Sequence, residues 1–398
     1  MTSQTLANDP QTAIRDIVAA IEPGLIAIRR DIHAHPELAF EEVRTAGVVA
    51  RELARLGIAH QTGVAKTGVV GIIEGGRPGK VLVIRADMDA LPIHEQTGLP
   101  WASTIDGKMH ACGHDIHTTT LLGVAAVLRD LAPQLAGTVK LVFQPAEEAI
   151  GGMQVMLDEG ILHGPEVDLA LGFHNRPGSR AGIFNFTRGP GLAAADSFTI
   201  TVHGKSGHAA QPHNSIDPIV AAAQLVTQLQ SVVSREVNPL HPVVVTVGAI
   251  NGGHAPNIIP DSVVLLGTVR TLHDAARDTA EAAIARLCAA IEASHRTPTT
   301  LAYRRGVPPM VNDDRVIDPT IAAVRKQFGE ASVIEIGPSM GAEDFALMSQ
   351  KVPSFQLGIG SGAEGGTAGL HNSGYAPDEA CIGLGVQALA RAAMEILS

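Results

Sequence analysis

KVLVIRADMDALP, residues 80–92, is the stretch whose reading decides the fold. Its first half is apolar and β-branched, as in a strand of a largely parallel sheet. Its second half turns acidic where that strand ends, at Asp87 and Asp89. Three more runs share this character: GVVGII at 68–73, TVKLVF at 138–143 and VDLALGF at 167–173. Apolar residues at helical spacing predict helices over 12–29, 43–56 and 115–131, the second ending at Gly57 and the third lying between two strands. Strands alternating with helices in this way predict an α/β domain.

The pattern changes near residue 188, where TRGPGLAAADS (187–197) is rich in Gly and Ala, as a hinge is. SFTITVH (197–203) then alternates like a half-exposed strand. A helix is expected over 216–234, strands over 243–250 and 262–271, a helix over 275–294 and a strand over 299–305. That order, β-α-β-β-α-β, is the split arrangement of a ferredoxin-like domain. After GVPPMVND (306–313), helix, strand and helix resume at 316–328, 354–360 and 377–397. The expected architecture is a catalytic α/β domain in two pieces, 1–187 and 306–398, with a smaller α+β domain, 188–305, inserted between them.

Composition agrees with a globular chain of more than one domain: 398 residues, 45% hydrophobic and 17% charged. A net charge of -11 argues against nucleic acid or an anionic membrane as the main partner. Apolar runs such as LLGVAAVL are too short to cross a bilayer. The N-terminal stretch lacks a charged-then-apolar leader pattern. Three widely spaced cysteines, Cys112, Cys288 and Cys381, do not make a disulfide framework. The expectation is reduced thiols in a cytoplasmic protein.

Ligands of open α/β sheets gather beyond the carboxyl ends of the strands. Asp87 and Asp89 follow one strand, Glu147 and Glu148 a second, and His174 a third. A Gly-rich loop ending at His371 follows a fourth, and MHACGHDIHTTT (109–120) leads into the helix after the first. Each residue alone has an ordinary explanation: a turn-capping Asp, a solvated acid pair, a structural His, a buried thiol. Five separate stretches meeting at one sheet edge make those explanations hard to hold together. Thiolate and imidazole suit zinc and neighbouring late transition ions. Cys112, His114, Glu148, His174 and His371 exceed the three ligands of a single catalytic ion. They better match two ions about 3.5–4 Å apart. One of the adjacent glutamates then serves as the base, and sequence alone does not say which.

RRDIHAHPELAFEE (29–42), RADMDALP (85–92), MHACGHDIHTT (109–119), QPAEE (144–148), GFHN (172–175) and GAEDFA (341–346) together carry a resemblance. From about residue 25 onward the chain resembles the aminoacylase/glutamate-carboxypeptidase metallopeptidase family. Its best fit is the amidohydrolase branch of hippurate hydrolases, auxin-conjugate hydrolases and N-acetyldiaminopimelate deacetylases. The resemblance implies a zinc-peptidase-like catalytic domain and a lid and dimerisation domain. It implies Cys112 as a ligand bridging two metals, with His114, Glu148, His174 and His371 completing the set. Glu147 is implied as general base and Asp89 as the aspartate orienting a ligand. Asp87 stands where other branches have a metal histidine. In GKSGHAAQPH (204–213), His208 is implied to polarise the scissile carbonyl in a partner subunit. Asn257 in APNIIPD (255–261) and Arg270 in GTVR (267–270) are implied to hold the substrate carboxylate. Arg270 alone, at the end of a strand, also suits a bidentate carboxylate clamp.

The reading is a cytoplasmic amidohydrolase with two divalent ions (zinc, manganese, cobalt or nickel). It cleaves N-acyl amino acids and forms a homodimer or homotetramer through the lid domain. Three rivals stand beside it. One is a dipeptidase or carboxypeptidase of the same family. Another is a thiol hydrolase using Cys112 with a neighbouring histidine. The third is a metal-stabilised binding protein without catalysis.

Overall fold

The computed structural model describes residues 9–149 and 151–398. The chain opens with helix α1 (Pro10–Ala34), helix α2 (Val43–Arg55) and strands β1 (Ala59–Val64), β2 (Gly68–Glu74) and β3 (Arg77–Asp87). Helix α3 (His114–Leu131), β4 (Ala136–Gln144), the short α4 (Gly152–Asp158), β5 (Leu169–Arg180) and β6 (Phe184–Phe186) follow. Next come β7 (Ala194–His203), α5 (Pro218–Ser231), β8 (Val243–Asn251), β9 (Ser262–Thr271), α6 (Asp274–His295) and β10 (Thr299–Arg305). The chain ends with α7 (Asp314–Phe328), β11 (Val333–Glu335), β12 (Ser354–Gly362) and α8 (Ala380–Ile396). Aspartates start several helices: Asp9, Asp217 and Asp313 cap α1, α5 and α7 through their side chains, each followed by Pro or Asp.

Two compact units divide these elements. The larger holds the described chain up to Gly189 together with Val311–Gly337 and Leu347–Ser398; the smaller holds Pro190–Met310 and Pro338–Ala346. The larger unit is built on an eight-stranded sheet of order β1-β2-β4-β3-β5-β12-β6-β11. Its middle, β4-β3-β5-β12, is parallel throughout, while β1, β2 and β6 add antiparallel pairings. Val81 to Asp87 are buried on both faces of the sheet, which is why VLVIRA lacks alternation. Helices α1, α3, α7 and α8 bury their apolar faces in the core of this unit, with Ile14, Leu121, Val324 and Val386 fully covered.

Two sequence expectations change here. The strand expected over 167–173 runs on to Arg180, so His174 stands within β5 and not beyond it. Strand β1 was not expected: AHQTGV is exposed for five of its six residues, and an edge strand of that kind has no apolar signature. In the smaller unit, β7-α5-β8-β9-α6-β10 forms an antiparallel sheet of order β8-β9-β7-β10, the ferredoxin-like arrangement. Leu225, Leu229, Ile284 and Ile291 of its two helices pack in a core with Ile200 and Leu265.

One glycine shows how tightly the main sheet is closed. Gly360, in β12, donates its N–H to the Ile183 carbonyl at 2.8 Å. A Cβ there would lie 2.1 Å from the Arg180 carbonyl oxygen, which is backbone and has nowhere to go. Gly360→Ala is expected to lower unfolding stability by about 1–3 kcal/mol or more, read as a lower urea midpoint at an unchanged m-value.

Candidate metal centre

At the carboxyl ends of the parallel strands the larger unit brings together all five expected ligands. Asp87 is the last residue of β3, and Glu147 and Glu148 follow β4. His174 stands in β5, and His371 lies in the loop beyond β12. Cys112 and His114 mark the start of α3, separated by Gly113 at φ 84. Only glycine fits there: a Cβ would meet Asn175 Nδ2 at 2.4 Å.

Two three-residue groups share one thiol. The donor atoms of Cys112, His114 and His174 lie within 4.8 Å of one another, and so do those of Cys112, Glu148 and His371. Cys112 Sγ is 3.5 Å from His174 Nε2, and His371 Nε2 is 3.3 Å from Glu148 Oε1. Both imidazoles of the first group are oriented through their other nitrogen. His174 Nδ1 donates to the Asn175 carbonyl at 2.8 Å, and His114 Nδ1 donates to Asp89 Oδ1 at 3.2 Å. Each therefore turns an Nε2 lone pair into the cluster. His114 Nε2 and Glu148 Oε1 are buried without a hydrogen-bond partner, 3.9 Å apart. Orphaned acceptors of this kind, beside a shared thiol, fit divalent cations.

Charge in the pocket points the same way. Burial alone would raise the Asp87 carboxyl, but His114, Arg85 and His117 together hold it well below its ordinary range. Burial would lower His114, yet the charges of Asp87 and Cys112 hold it well above its ordinary range. The acids thus call for a positive charge beside them, which a divalent cation on the His114 Nε2 lone pair would supply in place of a proton. Burial also pushes the Cys112 thiol up to about 12. A thiol so placed is a poor nucleophile at neutral pH unless a cation stabilises its thiolate.

The helix carrying His114 is held from several sides. Asp89 also accepts from the main-chain N–H groups of Glu147 (3.1 Å) and Glu148 (3.0 Å). Asp115 pairs with Arg29 Nε at 2.7 Å and His33 Nδ1 at 2.8 Å, both from α1. His117 had no role in the sequence reading. Its Nδ1 donates to Asp87 Oδ1 at 2.5 Å, and its Nε2 accepts from the Asn175 main-chain N–H at 3.0 Å. Asn175 also donates to the Cys112 carbonyl at 2.6 Å and accepts from Ser361 and Tyr375. His371 is tied in by its own N–H, which donates to the Ala111 carbonyl at 2.8 Å. Arg29, His33, Asn175 and Tyr375 escaped the sequence reading as site residues, because isolated polar residues carry no periodic signal.

In the smaller unit His208 and Asn257 lie together. His208 pairs with Ile258 in a two-residue ribbon, and the Ala209 N–H donates to the Asn257 carbonyl at 3.0 Å. The Ala210 N–H donates to His208 Nδ1 at 3.1 Å, which leaves the ring proton on the exposed Nε2. Arg270 stands at the far end of β9. It is eight residues from Ser262, or about 26 Å of extended strand.

Residues 83–395 match peptidase family M20/M25/M40. An N-acetyl-L-cysteine deacetylase of Bacillus subtilis is 40% identical over 373 residues, 93% of this chain and 87% of that protein. A thermostable carboxypeptidase of Saccharolobus solfataricus is 37% identical over 389 residues, 96% of this chain and 97% of that protein. A crystal structure of a Bacillus subtilis protein, described as a dinuclear metal binding peptidase, superposes with a TM-score of 0.85 at 36% identity. That match covers 95% of this chain and 99% of the other.

Asp89 links a candidate ligand ring to both glutamate amides, so Asp89→Ala is expected to weaken divalent-metal binding by about 10–100-fold. Titration calorimetry on metal-stripped protein checks this; unchanged affinity would remove Asp89 from the site.

Proposed function

The chain belongs to peptidase family M20/M25/M40 and is a hydrolase of amide bonds; we propose that it cleaves N-acyl amino acids to a carboxylic acid and a free amino acid. The observation that carries the reading is the pair of three-donor groups meeting at Cys112. Divalent ions held by Cys112, His114, Glu148, His174 and His371 would act as Lewis acids and lower the pKa of water at the site. Zinc, manganese, cobalt and nickel all suit this donor set.

Glu147 is the proposed base. Of the two adjacent acids, Glu148 shares a group with Cys112 and His371, whereas Glu147 groups with His114 and Glu148 only among the larger unit's described residues. Glu147 takes the proton from the attacking water and returns it to the departing amine. His208, with its proton on Nε2, is the proposed donor to the developing oxyanion. Arg270 is the proposed clamp for the substrate carboxylate, which fixes the amide relative to the base.

Asn257 lies beside His208, whereas Arg270 stands at the far end of β9. That spacing supports dividing the roles between two copies of the chain, with Arg270 serving one site and His208 and Asn257 the other. A homodimer through the smaller unit is proposed on this ground. The edge strand β8 of its sheet bears exposed Val244 and Ile250, a surface suited to pairing. Peptide substrates with a free amino terminus are the second reading, supported by likeness to the Saccharolobus carboxypeptidase.

The test is turnover by protein reconstituted with defined metals, on a panel of N-acyl amino acids and matching dipeptides. Preference for acylated substrates is expected; preference for free dipeptides would establish the second reading. Glu147→Gln should retain both metals by elemental analysis yet lower kcat by about 10²–10⁴-fold. Near-normal kcat would remove Glu147 as the base. Arg270→Ala should raise KM by about 10–100-fold with a smaller change in kcat, as expected for losing a charge-assisted pair.

A further inference from the structure

Glu42 occupies the N-cap position of α2, yet its side chain makes no bond to its own helix. Glu37 fills that place instead. Its Oε1 accepts from the Arg44 N–H at 2.9 Å and its Oε2 from the Thr45 N–H at 2.8 Å. The Glu42 carboxylate is fully buried and turned elsewhere. Its Oε1 accepts from the main-chain N–H of Ala146 at 2.9 Å, 104 residues along the chain, and from that of Phe40 at 3.0 Å. Its Oε2 accepts from the Thr67 hydroxyl at 2.5 Å.

The backbone at these contacts is unusual. Phe40 (φ 62) and Ala146 (φ 55) are both left-handed, a region that disfavours any residue with a Cβ. Ala65 and Lys66, just before Thr67, are left-handed too. One carboxylate therefore joins three loops where each is strained. Ala146 is followed at once by Glu147 and Glu148, and its carbonyl accepts from the Gly152 N–H at 3.1 Å. The N–H groups of 146, 147 and 148 thus end in succession on two buried carboxylates, Glu42 and then Asp89.

We propose that Glu42 is a positioning residue that holds Ala146 in its left-handed conformation and so aims the carboxylates of Glu147 and Glu148. Without an acceptor at this point, Ala146 relaxes to an ordinary conformation and the two glutamates turn with it. The need is for an oxygen at this place, not for a charge. Burial pushes the Glu42 carboxyl above its ordinary range, against the pull of its hydrogen bonds from Thr67 and Ala146. A glutamine oxygen can accept the same two N–H groups while the Thr67 hydroxyl turns to accept from its amide.

The kinetic readout rests on the amide-hydrolase reading above, and four variants of the full, metal-loaded chain test the role. Glu42→Gln is expected to stay within about threefold of wild-type kcat. Glu42→Asp keeps the charge but withdraws the oxygens by one methylene. It and Glu42→Ala are each expected to lose about 10²-fold in kcat with little change in KM. Adding Ala146→Gly to Glu42→Ala should restore about tenfold, because glycine adopts the left-handed conformation freely. Two outcomes overturn the proposal: an active Asp variant with an inactive Gln variant, or a loss in the Ala variant that Ala146→Gly does not relieve. If Glu42→Ala does not fold, the contrast between Gln and Asp decides alone. If the wild-type chain hydrolyses none of the panel, the function reading fails independently. Hydrogen exchange at the 146–148 amides then decides the positioning role: protection kept in the Gln variant and lost in the Asp variant supports it, and equal protection in both overturns it.

Discussion

The carboxylate of Asp89 accepts from the His114 ring and from the main-chain N–H groups of Glu147 and Glu148, and so joins the start of α3 to the loop after β4. These two segments arrive from different strands and share no local reason to meet. A buried carboxylate is costly unless its lone pairs are filled, and here three donors fill them. The bonds then define more than themselves. They set which nitrogen of His114 faces the cluster and which way the glutamate backbone runs.

The first turn of α3 extends the same principle. His114 is held by Asp89, Asp115 by Arg29 and His33 of α1, and His117 by Asp87 at the end of β3. Nearly every polar side chain of that turn is spent on a different part of the larger unit. Arg29, Arg85, Asp87 and Asp115 are all essentially inaccessible to solvent. Ion pairs in such places add little net stability, but removing one partner costs about 3–5 kcal/mol because it strands the other. The benefit is geometric, since each pair permits only one orientation. A catalytic cluster needs that more than it needs stability.

Much of this was legible beforehand, and the reasons differ by level. The parallel strands announced themselves because they are buried on both faces, so VLVI (81–84) and LVF (141–143) read as apolar runs without alternation. The smaller unit was legible from the order of its six elements. Cys112, His114, Glu147, Glu148, His174 and His371 stood out because ligand-type residues followed strand ends in succession. What stayed hidden lacked any pattern. β1 is an exposed edge, and Asn175 acts through its main chain and a single amide. Glu37 and Glu42 look alike on paper in HPELAFEE, and only the fold shows that one caps a helix while the other reaches Ala146. The separation of Asn257 from Arg270 was invisible because strand length, not residue type, produces it.

The order of the large sheet bears on how this chain reaches its native state. β12 lies between β5 and β6, near the middle of the sheet, although it is the last strand made. Until about residue 362 has been synthesised, β5 has an open edge and the strand carrying His174 lacks its neighbour. The four-stranded sheet of the smaller unit needs nothing beyond Arg305 and draws on a continuous stretch of chain. Non-local pairing is slow because loop closure must precede any gain, so the inserted unit should complete its sheet first. The larger unit cannot close its sheet until β12 has been made. Until then the unpaired edge of β5 is open to pairing with another chain.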